Sequence, residues 1–442
     1  MEAAVKLGRA ACLDPAVTGL YQPRRPQGTI LYKLIQENLE TFLARAREAC
    51  IDDDPIPAYV ERTFRKYLDC GIMARGFARA YCPSCGYDFL LPFSCKTRGL
   101  CPSCNTRRMV ETAATLVDHV LPRVPTRQWV LAVPKRIRWF VQHDHKVASR
   151  VLTIFLGEVE RILRRCSPGA SRASRFGAVA FPQRFGNALN EHPHFHVLVT
   201  DGVFAEDGEA LKFIEALELT HQKIEEVEAR VRRRVLRRLA RKGLLESIDA
   251  QDMLRWEHGG GFSVDGSVRL QGWDRQGLER VARYCARPPF AGERLAMLEE
   301  GKVAYRLPKP DLNGRTFLVM DPLELLDKLA KLIPPPRAHM VRYFGVLAPN
   351  SHMRERVIES AGPSGAIQVR LEEAAQKMGL VSKPSDAPTS EPEPLTKKKA
   401  SRMWAMLIAR IYEVLPLLCP HCNQPMKITA VCAALEGCCP NH

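Results

Sequence analysis

The chain has 442 residues, 46% of them apolar and 26% charged, a globular composition whose length suggests roughly two to four domains. No run of about eighteen uninterrupted apolar residues occurs and the N-terminus lacks a basic-then-apolar signal, so a membrane protein and a secreted one are both disfavoured and a soluble intracellular chain is expected. Lysine and arginine number 65 against 49 acidic residues, a formal charge of +16 that favours a polyanionic partner, with nucleic acid ahead of an anionic membrane.

Residues 30–68 carry apolar residues three and four apart, interrupted by Asp52-Asp53-Asp54-Pro55, which predicts two helices. Residues 70–108 are short, turn-rich and cysteine-rich, the composition of a metal-stapled module. Fifteen cysteines in a reducing compartment point to metal binding where the spacing is regular. Cys82-Pro-Ser-Cys85 and Cys101-Pro-Ser-Cys104 each place two thiolates on a tight turn, and together they are expected to close one tetrahedral four-sulfur zinc site. Cys70 and Cys95 lie close enough to be additional or substitute ligands, although small buried apolar residues is the simpler reading. Arg75, Arg79, Lys96, Arg98, Arg107 and Arg108 surround the knuckles, with Phe77, Tyr81, Tyr87 and Phe93 interleaved, which suits nucleic-acid contact.

Further along, a helix is expected from Arg107 to Leu121, a strand over 127–134 ending at Pro134, and an amphipathic helix over 146–166. Residues 175–186 and 193–204 read as two antiparallel strands. The sequence Glu191-His-Pro-His-Phe-His196 enters the second strand, and alternation puts His192, His194 and His196 on one face, where neutral imidazoles can hold a divalent ion. Residues 219–256 contain a helix with a dense arginine stripe, either a solvated face or a phosphate-tracking one. Next come a hairpin turned at Asp265-Gly266, a helix that must stop at Pro288-Pro289, a hairpin around Asn313-Gly314, and a helix from Pro322 to the proline run at 334–336. Residues 381–399 have the composition of a disordered linker, followed by a helix over 403–415 and a further knuckle, Cys419-Pro-His-Cys422. The cysteines after it, Cys432, Cys438 and Cys439, are irregularly spaced and only weakly support a complete second site.

A strand-borne divalent ion on a DNA-binding chain calls for a nucleophile, and the helix before Pro288 supplies Tyr284, with Arg287 three positions on and on roughly the same helical face. A tyrosine attacking a phosphodiester needs a metal to polarise the phosphate, an in-line approach and a cation for the developing charge. His194, His196, Tyr284 and Arg287 can supply that set if strand and helix pack together.

The segments FSCKTRGLCPSC, VAFPQRFGNALNEHPHFHVLVTDGVF, YCARPPF and RYFGVLAPNS, in this order, resemble the transposases of the IS91 family and its common-region relatives, over a stretch from about Phe64 to about Met426. The resemblance implies an α+β chain: an N-terminal helical and zinc-binding module, then an HUH nuclease domain with a central antiparallel sheet flanked by helices. It implies boundaries of 1–68 for the helical region, 69–110 for the zinc module, 111–350 for the HUH domain, 351–380 for a C-terminal extension, 381–400 for the linker and 401–442 for a last helix and tail. His194-Phe195-His196 matches the HUH pattern, which makes His192 an extra. Tyr284 matches the nucleophile that becomes joined to a 5′ phosphate. Arg280 stands where two-tyrosine members carry another tyrosine, so the chain resembles a single-tyrosine member. The implied cofactors are structural Zn2+ and catalytic Mg2+ or Mn2+, with Gln183, Glu279 or His192 as a third protein ligand. The implied partner is DNA, mainly the single-stranded or hairpin ends of a mobile element, with a homodimer on DNA left open and no membrane. A prokaryotic, cytoplasmic, nucleoid-associated protein would follow. The competing reading is a zinc-containing DNA-binding protein without catalysis, or a decayed element copy.

Overall fold

The computed structural model of the chain describes residues 25–48, 56–208, 210–311, 313–362, 419, 421–422, 424 and 426–433. The expected linker at 381–399 and the helix at 403–415 lie outside the described residues. The described chain forms two units: a smaller one holding residues 77–91 with those between 419 and 432, and a larger one holding 25–76 and 92–362.

The two expected N-terminal helices form as α1 (Ile30–Glu48) and α2 (Ala58–Leu68). Strands β1 (Gly76–Tyr81) and β2 (Asp88–Pro92) flank the first knuckle. Helix α3 (Pro102–His119) starts at the second knuckle, with Pro102 in the first turn where its missing N–H is harmless. β3 (Thr126–Ala132) stops before Pro134, and after α4 (Lys135–His143) the Asp144 carboxylate accepts from the amides of Lys146 and Val147, capping α5 (His145–Cys166). β4 (Gly177–Phe185) and β5 (Glu191–Thr200) are the long central strands, followed by a hairpin of β6 (Gly202–Asp207) and β7 (Ala210–Glu215). Then come α6 (His221–Arg241), α7 (Ser247–Arg255), β8 (Ser263–Asp265), β9 (Arg269–Leu270) and α8 (Arg275–Cys285), whose first turn is capped by Asp274. A meander of β10 (Leu295–Met297), β11 (Val303–Arg306) and β12 (Phe317–Met320) leads to α9 (Pro322–Leu332), β13 (Arg342–Gly345) and α10 (Arg354–Ile358). The last strand, β14 (Lys427–Ala433), joins the sheet of the smaller unit in the order β14-β1-β2.

The main sheet runs β13-β4-β5-β3-β8 and every pairing in it is antiparallel. Along β5, alternation sends Phe195, Val197 and Val199 to one face, where they join Trp129, Leu131 and Ala180 in a core with the apolar sides of α5 and α6. Leu198 goes to the other face, with Val179 and Phe181, against Leu116 and Val117 of α3 and Leu278, Ala282 and Cys285 of α8. The sheet is therefore covered by helices on both faces.

Two expectations differ from the structure. The predicted hairpin at Asp265-Gly266 does not form. β8 and β9 both pair with β3, as one edge strand broken by a bulge. The chain carries straight on because Arg127 of β3 donates to the Gly266 carbonyl at 2.7 Å, and the Gln128 amide donates to the Val268 carbonyl at 2.9 Å. The expected boundaries at 68/69 and 110/111 also do not separate cores. Leu31, Ile35, Phe64, Cys70, Cys101, Cys104, Val303, Leu325 and Leu329 share one buried cluster, so α1 and α2 pack with the meander and α9. Helix α3 crosses residue 110 and contributes Cys104 to that cluster and Leu116 to the sheet core.

Two buried charges fix the helices. Glu158 of α5, 1% exposed, accepts from Arg161, Arg230 and Arg234, so two arginines of the α6 stripe are spent inside the fold. Burial alone would raise the Glu158 pKa, but the bonds from Arg161, Arg234 and Arg230 outweigh it and bring it down to about 2. Arg275, also 1% exposed, opens α8 and donates to the carbonyls of Val117, Leu121 and Pro122, which closes the C-terminal end of α3.

Glu158→Gln is expected to destabilise the protein by about 2 kcal/mol at neutral pH, less than a fully buried pair because the arginines keep contact with water. The carboxylate's contribution is present above its unfolded pKa and fades as pH falls toward about 2, so denaturant midpoints of the two proteins should converge on acidification. Arg275→Met should cost about 3 kcal/mol or more by stranding the α3 carbonyls, measured by urea unfolding.

Candidate metal centres and tyrosine site

Beta pairing fixes the face of the sheet on which the histidines stand. His192, His194 and His196 follow one another along it, with ring centroids 5.4 Å and 5.0 Å apart. The His194 ring donates from Nδ1 to the His192 carbonyl at 2.7 Å, which leaves the Nε2 lone pair available to a cation. His196, only 4% exposed, meets the side-chain amide of Gln128 at 2.9 Å from Nδ1. With the amide nitrogen donating, His196 carries its proton on Nε2; turning the amide offers its oxygen to Nδ1–H and frees Nε2 instead. Burial, followed by the positive charges of neighbouring groups, lowers the pKa of His196 to about 3 and of His192 to about 4, and burial lowers that of His194 as well. All three rings are neutral at neutral pH, the ligating form.

Gln183 of β4 is the Cα partner of His194 across the ladder and is 3% exposed. Its Nε2 donates to the Cys285 carbonyl at 2.7 Å, tying the end of α8 to the sheet, while its Oε1 has no hydrogen-bond partner. Tyr284, one residue earlier on α8, stands edge-on to His196 with centroids 5.4 Å apart, yet its side chain is half exposed. The Arg287 guanidinium lies over the Tyr284 ring at 5.0 Å and over Phe185 at 5.6 Å, and its Nε is buried without a partner. Glu279 is bound to Arg283 at 2.6 Å. The structure thus gathers His192, His194, His196, Gln183, Tyr284 and Arg287, and turns Glu279 to an ion pair.

The cysteines are grouped differently from the expectation. Cys101 and Cys104 join Cys70 and Cys95, with Sγ atoms 3.7 Å apart for Cys70–Cys101 and Cys70–Cys104 and 3.6 Å for Cys95–Cys104. Cys82 and Cys85 gather instead with Cys419 and Cys422. The expected pairing of the two nearby knuckles fails because their local structures differ. Cys82 and Cys85 occupy the tip of the β1–β2 hairpin in the smaller unit, whereas Cys101 and Cys104 open α3 and point into the core beneath α2. Cys70 and Cys95, read as apolar residues by spacing alone, are members of the set; the Cys95 amide donates to the Cys70 sulfur at 3.4 Å. Among the described residues these two clusters are the sets of three or more His, Cys, Asp or Glu donors within 4.8 Å of one another, so neither His192 nor Glu279 completes such a set with His194 and His196. Four soft thiolates in each cluster match the donor chemistry of Zn2+.

Comparison with known proteins agrees with this division of the chain. Residues 35–133 match a family model described as a transposase zinc-binding domain, and residues 177–355 one described as a putative transposase. The chain is 25% identical over 304 residues to the transposase for insertion sequence element IS801 of Pseudomonas savastanoi pv. phaseolicola, covering 65% of this chain and 70% of that protein. Together these matches support an IS91-family transposase. No solved structure matches it.

The basic residues singled out around the knuckles are largely engaged. Arg75 pairs with Asp69 at 3.0 Å, Arg79 with Asp88 and Arg107 with Glu111. Arg98 donates to the carbonyls of Pro335 and Ala338, and Arg108 to those of Lys96 and Thr97. Lys96 is exposed. No described helix is long and apolar enough to cross a membrane. Sequence reasoning missed Gln128, whose only signal was its place on a strand destined to pair with the histidine strand, and Arg275, whose role depends on α3 ending beside it.

Cys70→Ser is expected to lower the zinc content of the purified protein by the same single equivalent as Cys101→Ser, read by atomic emission. Full zinc in the Cys70 variant would restore the pairing of the two nearby knuckles.

Proposed function

We propose that this transposase nicks and rejoins single-stranded DNA through a covalent link between Tyr284 and a 5′ phosphate. The observation that carries the proposal is the half-exposed Tyr284 ring set against the buried, neutral His196, with the Arg287 guanidinium across its face. His194 and His196 would hold Mg2+ or Mn2+, which supplies positive charge for the phosphate and the departing 3′ oxygen. Gln183 is the best-supported third protein ligand, because its buried Oε1 is unpartnered and its Cα faces that of His194.

The reaction balances without any co-reactant. The Tyr284 oxygen forms a bond to phosphorus as the bond from phosphorus to the 3′ oxygen breaks; the phenol proton passes to water and the leaving oxygen ends as a 3′ hydroxyl. A 3′ hydroxyl attacking the phosphotyrosine reverses these steps and rejoins the strand. Arg287, whose guanidinium lies over the Tyr284 ring, balances charge on the nonbridging oxygens. The Gln183 bond to the Cys285 carbonyl holds the tyrosine's turn in register with the histidines. Single-stranded substrate fits a nucleophile on the exposed side of a helix, since the strand must bend in for in-line attack. The Arg280 position carries no second phenol, so one tyrosine serves each strand.

Tyr284→Phe should abolish the covalent species formed with labelled single-stranded element ends and manganese, seen on denaturing gels, while shifting the melting temperature by no more than about 2 °C. His194→Ala and His196→Ala should lose metal-dependent cleavage yet retain DNA binding, which comes mainly from phosphate contacts and weakens steeply with salt. An adduct formed by Tyr284→Phe at the wild-type rate would place the nucleophile elsewhere, and a wild-type protein that binds DNA without ever forming one would favour the non-catalytic reading.

A further inference from the structure

We infer that Cys82, Cys85, Cys419 and Cys422 form a second, separate Zn2+ site that ties the C-terminal tail into the hairpin of β1 and β2. The match to the transposase zinc-binding domain ends at residue 133 and so leaves the two distal cysteines unassigned.

The geometry is that of two equivalent knuckles facing each other. Both have the sequence Cys-Pro-x-Cys. In the first the Cys82 amide donates to the Tyr87 carbonyl at 2.8 Å; in the second the Cys419 amide donates to the Gln424 carbonyl at 2.8 Å, the same step of five residues. The sulfurs approach crosswise, Cys82 to Cys422 at 3.5 Å and Cys85 to Cys419 at 3.4 Å. A disulfide would bring them to about 2 Å. Two sulfurs each about 2.3 Å from one zinc along tetrahedral directions lie roughly 3.8 Å apart, much nearer to what is seen. The rings beside the sulfurs also meet: Tyr87 stacks on His421 with centroids 4.4 Å apart and planes 21° apart. β14 then extends the sheet along β1.

Among the described residues the apolar packing here is small: the buried members of the cluster are Ala80, Cys82, Cys419 and Met426, two of them proposed ligands. Cys85 and Cys419 are 334 positions apart in sequence, so closing the loop between them carries an entropic cost that metal binding offsets. Half of the ligand set comes from residues 419–422, and the site can assemble only after residue 422 has been made.

The test is zinc stoichiometry of the full-length protein by native mass spectrometry and atomic emission, without reference to DNA cleavage. Two equivalents per chain are expected for the wild type. Cys419→Ser combined with Cys422→Ser should leave one, as should Cys82→Ser with Cys85→Ser, while Cys432→Ser, outside the set, keeps two. After cobalt replacement the thiolate charge-transfer absorption should halve in the tail variant. One equivalent in the wild type, or two retained in the tail variant, would overturn the inference. Loss of both equivalents in the tail variant would also overturn it, because the two clusters would then not be separate sites.

Discussion

The candidate active centre depends on where β5 goes under cover: residues 195–200 are buried between helices on both faces, while His192 and His194, nearer its start, are half-buried. Polar side chains along this gradient lose much of their water, so each finds a partner or stays neutral. On one face Phe195, Val197 and Val199 fill the core with α5 and α6. On the other, three imidazoles take the positions that apolar residues would otherwise fill, and burial keeps them unprotonated. Their hydrogen-bond partners come from the sheet itself: the His192 carbonyl for His194, and Gln128 of the next strand for His196. The His194 ring is thus oriented by the sheet itself, and the His196 ring is held by an amide whose turning decides which of its nitrogens carries the proton.

Tyr284, the proposed nucleophile, is positioned by a second chain of constraints, which begins in the zinc module. Cys101 and Cys104 anchor the first turn of α3, and Cys70 and Cys95 hold that turn in the core shared with α1 and α2. The body of α3 packs on α8 beneath the sheet, and Arg275 ties the start of α8 to the last carbonyls of α3. At its far end, α8 is held to β4 by Gln183. Tyr284 therefore stands on a helix fixed at both ends, although its own ring is half in solvent. The larger unit joins the cysteine cluster of residues 70–104 to the tyrosine helix by continuous packing, which gives a physical reason for a zinc-binding segment to precede the main sheet in one chain.

The elements that could be read in advance are those whose information is local. Period-two alternation placed His192, His194 and His196 on one face, and Pro134, Pro288 and the acid-proline break at 52–55 marked where elements stop. The cysteine sets show the opposite case. Linear spacing treats the knuckles at 82–85 and 101–104 as one unit, but five residues of β2 return the chain and α3 leads it away, so the partners are chosen by tertiary structure. Cys419 and Cys422 meet their partners across 334 positions, a relation that no local pattern carries. The bulge at Gly266–Val268 is hidden for the same reason. An Asp-Gly pair between apolar runs favours a hairpin, and only the presence of β3 with free edge groups makes continuing the strand better.

Charge follows a similar logic. The excess of lysine and arginine marked a polyanion-binding chain, but the arginines that looked most suitable near the knuckles are largely engaged by carboxylates or carbonyls of the same chain. The arginine stripe of α6 likewise gives two members to Glu158. What remains near the tyrosine is more telling: Arg287 lies across the phenol, and Arg280 is exposed one turn earlier on α8, where the sequence resemblance implies a second tyrosine in two-tyrosine members. Under the proposed chemistry this exchange replaces a second nucleophile with a cation one helical turn from the first. A cation there binds the strand on either side of the scissile phosphate but cannot take it over. The same tyrosine must then release one strand before it accepts another, so cleavage and rejoining become sequential steps at one residue.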